Sequence, residues 1–149
     1  MSLADKINND IKEAMKAKQA DRLAALRSIK SEILLAQTAA GGTGEISSEG
    51  EIKIIQKLVK QRKDSAEIFK TSGRIDLYDK EMGELKYIEE YLPAQMSGDE
   101  LSAIIKKYIE QTGASSVKDM GKVIGLVNKE VAGRAEGKVI AEKVKQLLG

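Results

Sequence analysis

Apolar side chains recur every three or four residues along almost the whole of this sequence, and this period restricts the fold more than any other feature. No stretch shows the alternation of apolar and polar residues that marks a half-buried strand. The pattern therefore predicts an all-α fold. The apolar stripes contain Leu3, Ile7, Ile11 and Met15; Leu23, Leu26, Ile29 and Ile33; Ile52, Ile55, Val59, Ala66 and Phe69; Tyr78, Met82, Leu85 and Leu92; Leu101, Ile104, Ile105 and Tyr108; Met120, Val123, Ile124 and Val127; and Ile140, Val144 and Leu147.

Interruptions of the apolar period divide the chain. The cluster Gly41-Gly42-Thr43-Gly44 and the segment Thr71-Ser72-Gly73 are predicted to break helices, because glycine costs about 1 kcal/mol in a helix interior. The single proline, Pro93, lies in a predicted linker over residues 91–96. The sequence thus predicts an N-terminal helical-hairpin domain over residues 1–92 and a small C-terminal helical tail domain over residues 93–149.

Serine residues mark several predicted helix starts. Ser2 is a predicted N-cap with Asp5 at its third position, and Ser48 and Ser97 each precede a glutamate by three positions, which is typical of a capping box. Ser116 is predicted to cap a further short helix. Glycines at Gly113 and between residues 133 and 137 predict the turns that separate the last three helices.

The composition excludes several kinds of chemistry. The chain has no cysteine and no histidine, so it has no disulfide framework, no thiolate nucleophile and no usual zinc ligands. Gly121-Lys122 resembles part of a phosphate-binding loop, but Ser116 stands where its first glycine belongs and Val123 follows the lysine. We therefore predict no metal site, no cofactor and no catalytic residue.

Two sets of polar residues admit a catalytic interpretation and a simpler one. The serine pairs at 47–48 and 115–116 precede helices, where capping explains them better than nucleophilic catalysis. Acidic residues at 79, 81, 84, 89, 90, 99 and 100 lie on helices or at helix starts. Solvated helix faces and favourable placement near helix N-termini explain these carboxylates better than acid–base chemistry.

Neither a membrane span nor a secretory signal is evident. No run approaches the roughly 18 consecutive apolar residues of a transmembrane helix. The segment Met1–Lys6 lacks the charged and then apolar layout of a secretory signal. On this basis we expect no membrane association and a cytoplasmic location.

Positive charge is concentrated near the C-terminus. Residues 1–92 hold 16 basic and 16 acidic side chains, whereas residues 113–149 hold seven basic against four acidic. Many glycines accompany these basic residues, and glycine permits close approach of a backbone. Either this region meets phosphates, or it consists of tight turns with solvated lysines. The candidate RNA-binding residues are Lys118, Lys122, Lys129, Arg134 and Lys138, and the candidate backbone-approach glycines are Gly113, Gly121, Gly125, Gly133 and Gly137.

The same region carries a recognisable signature. It runs from Tyr91-Leu92-Pro93 through Gly113-Ala114 and Asp119-Met120-Gly121-Lys122-Val123 to Gly133-Arg134-Ala135, and Leu58-Val59-Lys60-Gln61-Arg62-Lys63-Asp64-Ser65 adds an N-terminal part. On these residues the chain resembles the YqeY-like family. The C-terminal part of that family is similar to the tail domain of the B subunit of glutamyl-tRNA(Gln)/aspartyl-tRNA(Asn) amidotransferase. The chain departs from the family pattern at Ile124, Asn128 and Glu136, where methionine, proline and aspartate are common.

The resemblance implies an N-terminal helical domain followed by a tail domain that contacts tRNA. Three hypotheses follow. The first is an accessory protein related to tRNA-dependent amidotransferase that binds tRNA through its C-terminal domain. The second is a helical adaptor for an amidotransferase, an aminoacyl-tRNA synthetase or another translation-related partner. The third is a carbon–nitrogen ligase with glutamine as amido donor, for which Ser115, Ser116, Lys118 and Lys122 are the available side chains; the amidotransferase's catalytic apparatus is not recognisable in this sequence.

Overall fold

The computed structural model describes residues 2–39 and 44–149 of the chain. Within these residues the secondary structure comprises seven α-helices and one 3₁₀ turn, without strands. The predicted all-α fold is therefore confirmed, whereas the loop predicted at residues 41–43 lies outside the described residues. The helices are α1 (Leu3–Lys16), α2 (Ala20–Thr38), α3 (Ser48–Thr71), α4 (Ile75–Glu89), α5 (Gly98–Thr112), α6 (Met120–Val131) and α7 (Gly137–Leu148), and the 3₁₀ turn spans Val117–Asp119.

The chain forms two compact units, an N-terminal unit of residues 1–92 and a C-terminal unit of residues 93–149. In the N-terminal unit α2 contacts α1, α3 and α4, and α3 packs along α4 as a hairpin. In the C-terminal unit α6 packs against α5 and α7. The assignment of the second unit as an amidotransferase-B-type tail domain rests on the resemblance and stays a prediction.

The core of the N-terminal unit follows the predicted stripes except at Met15 and at Met82, whose surface is 39% exposed. Met15 was expected inside, but its surface is 55% exposed, while the neighbouring Ala14 is buried. An α-helix advances 100° per residue, so a strict four-residue spacing drifts by about 40° at each step. Over the three steps from Leu3 the drift reaches about 120°, which turns Met15 to the solvent. The buried cluster comprises Ile7, Ala14, Ala25, Leu26, Ile29, Ile33, Ile55, Leu58, Val59, Leu85 and Ile88.

Two of the predicted helix starts in this unit have different outcomes. At α1 the predicted N-cap is confirmed, because the Ser2 hydroxyl accepts from the Asp5 amide; the Asp5 carboxylate also accepts from the Ser2 amide, which completes a capping box. At α3 the prediction is wrong by one residue. Ser47 is the N-cap, and its hydroxyl accepts from the Gly50 amide at 3.0 Å. The Glu51 carboxylate instead accepts from the amide of Leu3 at 2.6 Å and joins α3 to the start of α1.

A buried ion pair joins α3 to α4. Glu84 is only 4% exposed, so the prediction that this carboxylate lies on a solvated face is wrong. The Arg62 guanidinium donates from Nη1 to Glu84 Oε2 at 2.7 Å and to Glu81 Oε2 at 3.2 Å. Burial of a carboxylate is tolerated when a charged partner is present, and Arg62 supplies that partner.

The end of the N-terminal unit is fastened to α1 by Tyr91. Its phenol donates a hydrogen bond to the Asp10 carboxylate, which also lies 3.9 Å from the guanidinium of Arg22. Burial, followed by the hydrogen bond to Asp10, raises the pKa of Tyr91 above its ordinary value. Tyr91 therefore stays protonated and fixes the last turn before Pro93.

The C-terminal unit is a three-helix arrangement with well-defined ends. The Ser97 hydroxyl caps α5 by accepting from the Glu100 amide at 3.2 Å, so the predicted N-cap is confirmed, but the return hydrogen bond of the predicted capping box is not formed at this helix. Gly113 ends α5 in the left-handed conformation, with φ of 67°, which favours glycine. Ser116 makes no capping hydrogen bond, so the prediction of a Ser116 cap is wrong. The buried cluster comprises Leu101, Ile105, Val123, Val127, Val131, Ala135, Ile140 and Val144.

Candidate nucleic-acid interface

The helix α6 has one buried face and one exposed face. Val123, Val127 and Val131 are buried against the rest of the unit because they recur every four residues. On the other side five exposed residues lie within an arc of about 120°, as expected from 100° per residue, whereas the exposed Glu130 lies outside this arc. The five residues are Gly121, Lys122, Gly125, Asn128 and Lys129, and we call this set the α6 outer face.

Two of the predicted RNA-binding lysines share the α6 outer face. Lys122 and Lys129 are seven residues apart, which places them about 20° apart around the helix and about 10.5 Å apart along it. Lys118 lies in the 3₁₀ turn immediately before α6, and Lys138 lies in the first turn of α7. All four side chains are exposed, and none forms an ion pair with the described residues of the chain. Their charges are thus available to a partner.

Arg134 differs from these four lysines because it is engaged within the unit. Its Nε donates to the carbonyl of Ala94 at 2.8 Å, and its Nη2 lies 3.7 Å from the Glu100 carboxylate. The Arg134 carbonyl accepts from the amide of Met96 at 2.8 Å, and Gln95 donates to the carbonyl of Gly133 at 3.1 Å. Arg134 therefore holds the segment after Pro93 against the turn between α6 and α7. Its contact with RNA stays a prediction.

The five candidate glycines fall into two groups. Gly113 and Gly133 have φ values of 67° and 87°, so their backbone conformation accounts for glycine. Gly121, Gly125 and Gly137 have ordinary helical or extended φ, and a Cβ added to any of them would meet no atom within 4 Å. Packing inside the described part of the chain does not account for these three glycines. Two of them lie beside the lysines of the α6 outer face.

A polar cluster that the sequence did not reveal joins α5 to α6. Lys107 Nζ donates to Glu130 Oε1 at 2.5 Å, and the Tyr108 hydroxyl donates to the same oxygen at 3.0 Å. The hydrogen bond to Glu130 raises the pKa of Lys107, and the hydrogen bond from Lys107 lowers the pKa of Glu130. Glu130 is thereby occupied and does not neutralise the neighbouring Lys129. Since Glu130 lies 23 residues after Lys107 and 22 after Tyr108, no local pattern could have indicated this contact.

A model of the YqeY-like protein family matches residues 4–148, which is nearly the whole chain. The chain belongs to the YqeY family. The chain is also similar to fungal proteins named "Altered inheritance of mitochondria protein 41, mitochondrial". The protein from Pyrenophora tritici-repentis is 27% identical over 97% of this chain and 80% of its own length. The protein from Saccharomyces cerevisiae strain YJM789 is 29% identical over 96% of this chain and 66% of its own length, and that from Clavispora lusitaniae is 28% identical over 88% and 77%.

These relatives correct the expected cellular location. The sequence led us to expect the cytoplasm, but the matched family members carry the word mitochondrial in their names. The expectation of a cytoplasmic protein is therefore wrong. The expectation was based on the layout of a secretory signal, and this layout does not test for the amphipathic, arginine-rich segments that direct proteins to mitochondria.

The two serines and two lysines considered for a ligase are not joined by hydrogen bonds in the described part of the chain. The Ser115 amide donates a hydrogen bond to the Asp119 carboxylate at 3.1 Å. Neither serine hydroxyl is hydrogen-bonded to Lys118 or Lys122 among the described residues.

A cavity of about 580 Å³ lies beside Val117 and is lined by Glu142, Lys145, Gln146 and Gly149. Among residues 2–39 and 44–149 no group of three potential metal-ligating residues occurs, and no helix is long and apolar enough to cross a membrane.

Gly121 and Gly125, whose Cβ positions are open, allow a test of whether α6 needs glycine for folding. We expect Gly121→Ala and Gly125→Ala each to raise the free energy of unfolding of the C-terminal unit by about 0.5–1 kcal/mol, because alanine is the better helix former and finds open space. Gly113→Ala is the control, and it should destabilise the unit because φ at this position is positive. Urea denaturation measures all three. Destabilisation by Gly121→Ala would show that packing does require the glycine.

Proposed function

We propose that this protein is an accessory RNA-binding protein whose C-terminal unit binds the phosphates of folded tRNA. The observation that carries the proposal is the set of four exposed lysines, at 118, 122, 129 and 138, that form no ion pair with the described residues of the chain. Lysine is suited to phosphate as a compact point charge. The family resemblance to the tail domain of the amidotransferase B subunit supports the choice of tRNA over other polyanions.

The α6 outer face fits a folded RNA surface better than an extended single strand. Proteins that bind single strands stack bases on aromatic rings, and the chain has no aromatic residue after Tyr108. Double-helical RNA is recognised mostly through its shape and its backbone. Gly121 and Gly125 carry no side chain beside the lysines, and a Cβ added to either would meet open space, so an RNA backbone can approach the helix backbone there.

Arg134 has a separate part in this proposal. Because its guanidinium holds Ala94 and faces Glu100, its replacement would loosen the start of the C-terminal unit as well as remove a charge. A loss of tRNA binding in an Arg134 variant would therefore be ambiguous. The four lysines make the cleaner test.

The test is a titration of the full-length chain with bulk tRNA between about 50 and 200 mM salt. With about four phosphate contacts the affinity should fall on the order of 10²-fold across this range, because each contact releases a counterion. A variant with Lys118→Ala, Lys122→Ala, Lys129→Ala and Lys138→Ala should bind weakly even at low salt, with a nearly flat salt dependence.

The matched control removes the same number of charges from the other unit. Lys6, Lys12, Lys16 and Lys80 are exposed and form no ion pair with described residues, so their replacement by alanine changes the net charge equally. This control should retain the affinity and the salt slope of the unaltered protein. An equal loss in both variants would mean that only bulk charge matters and would refute the proposed site. Gly121→Ala should weaken tRNA binding while it stabilises the fold.

A further inference from the structure

A second surface, on the N-terminal unit, combines exposed leucines with positive charge. Leu34 and Leu35 near the end of α2 are 50% and 63% exposed, although their neighbour Ile33 is buried. Between residues 22 and 38 the helix carries one acidic residue, Glu32. Arg27 lies on the same flank as Leu34, seven residues earlier, and forms no ion pair with the described residues.

Leu35 borders a groove between α2 and α3. The groove has a volume of about 360 Å³, and its lining consists of three apolar and three charged residues. The apolar residues are Leu35, Ala36 and Ile54, and the charged residues are Glu32, Lys53 and Lys57. The groove is thus an apolar depression with lysines at its rim.

The charges of the groove leave a net positive rim. Lys57 Nζ donates to the Glu32 carboxylate at 3.2 Å, so this pair is internally neutral. Lys53 has no ionic partner in the described part of the chain and remains unneutralised in the lining of the groove. A ligand that complements this surface therefore needs an apolar side chain flanked by negative charge.

We propose that the α2–α3 groove binds an acidic amphipathic helix of a partner protein. One apolar anchor of that helix lies between Leu35 and Ile54, and a carboxylate beside the anchor faces Lys53. Seating an amphipathic helix in an apolar groove is a common mode of peptide recognition.

The first experiment measures binding of the full-length chain to a synthetic helical peptide by isothermal titration calorimetry. The peptide carries leucines at helical spacing on one face and glutamates at all other positions. The reference peptide keeps the leucines and replaces every glutamate by lysine. We expect the acidic peptide to bind at least about tenfold more tightly than the basic one, because opposite charges meet at the rim. Equal affinities, or no binding of the acidic peptide, would overturn the proposal.

Variants locate the binding to the groove. Leu35→Ser should weaken the acidic peptide by about tenfold or more, since one buried leucine contact corresponds to at least that factor. Ile68→Ser is the matched control, because Ile68 is 64% exposed on the same α3 that borders the groove but does not line it. Lys53→Glu should reverse the preference toward the basic peptide. If Leu35→Ser and Ile68→Ser act alike, the groove is not the site.

A vesicle arm separates the partner helix from a lipid surface. The probe is a vesicle of phosphatidylcholine with phosphatidylserine, compared with phosphatidylcholine alone. We expect no Leu35-dependent binding to either vesicle. Binding to the anionic vesicles that Leu35→Ser abolishes, without binding of the acidic peptide, would show that the surface recognises lipid and that the proposal is wrong.

Discussion

Replacing Arg62 by alanine is expected to lower the free energy of unfolding of the N-terminal unit by about 3–5 kcal/mol. The loss is large because the Glu84 carboxylate, which is 4% exposed, then loses its ionic partner among the residues that the structure describes. A buried charge without a partner costs far more than the pair contributes. Urea denaturation followed by the helical circular dichroism signal measures the change.

Two further variants distinguish the buried charge from general damage to α3. Lys60→Ala removes an exposed cation from the same helix, whose partner Asp64 is also exposed, and should cost no more than about 0.5 kcal/mol. Adding Glu84→Leu to Arg62→Ala should recover much of the lost stability, because the unpaired charge is then gone. If Arg62→Ala were as mild as Lys60→Ala, the ion pair between α3 and α4 would not form as described.

The Arg62 pair also shows where sequence reasoning ends. The spacing of apolar residues predicted the helices and most of the core, since burial follows a period that the sequence displays directly. The same reasoning placed Glu84 on a solvated face, because a charged residue beside apolar ones is usually exposed. Arg62 is 22 residues away, and only the packing of α3 on α4 brings the two together.

The errors at the helix ends have the same origin. Ser47 and Ser48 are both acceptable N-caps, and Glu51 lies three residues after Ser48, as a capping box requires. The structure uses Ser47 because Glu51 is engaged by the amide of Leu3, 48 residues earlier. A local pattern offers candidates for a cap, but a distant contact decides between them.

The candidate site divides along the same line. The residue types of the basic region could be predicted, and so could their exposure, since Lys122 and Lys129 fall opposite the apolar period of α6. The intramolecular role of Arg134 could not, because its partner Ala94 is 40 residues away. Only the contacts in the folded unit show that Arg134 is engaged within it, whereas the four lysines form no ion pair with described residues.

Replacing Ile105 by alanine is expected to destabilise the C-terminal unit by about 2–5 kcal/mol, which is enough to unfold much of it at 25 °C. Ile105 is fully buried in the cluster shared by α5, α6 and α7, and truncation leaves a cavity there. The unit has 57 residues, from 93 to 149, and a core of that size rarely supplies more than about 3–5 kcal/mol. The cost of one cavity is therefore comparable to the whole stability of the unit.

Amide hydrogen exchange resolved by residue measures this prediction. Protection should fall in α5, α6 and α7 and persist in α1 to α4, because the buried clusters of the two units contain different residues. Val139→Ala, at a position 39% exposed on α7, is the control and should leave both units protected. Equal loss of protection in both units would mean that they unfold as one. Ile105→Ala should also lose tRNA binding if α6 must be helical to hold the lysines of its outer face at their spacing.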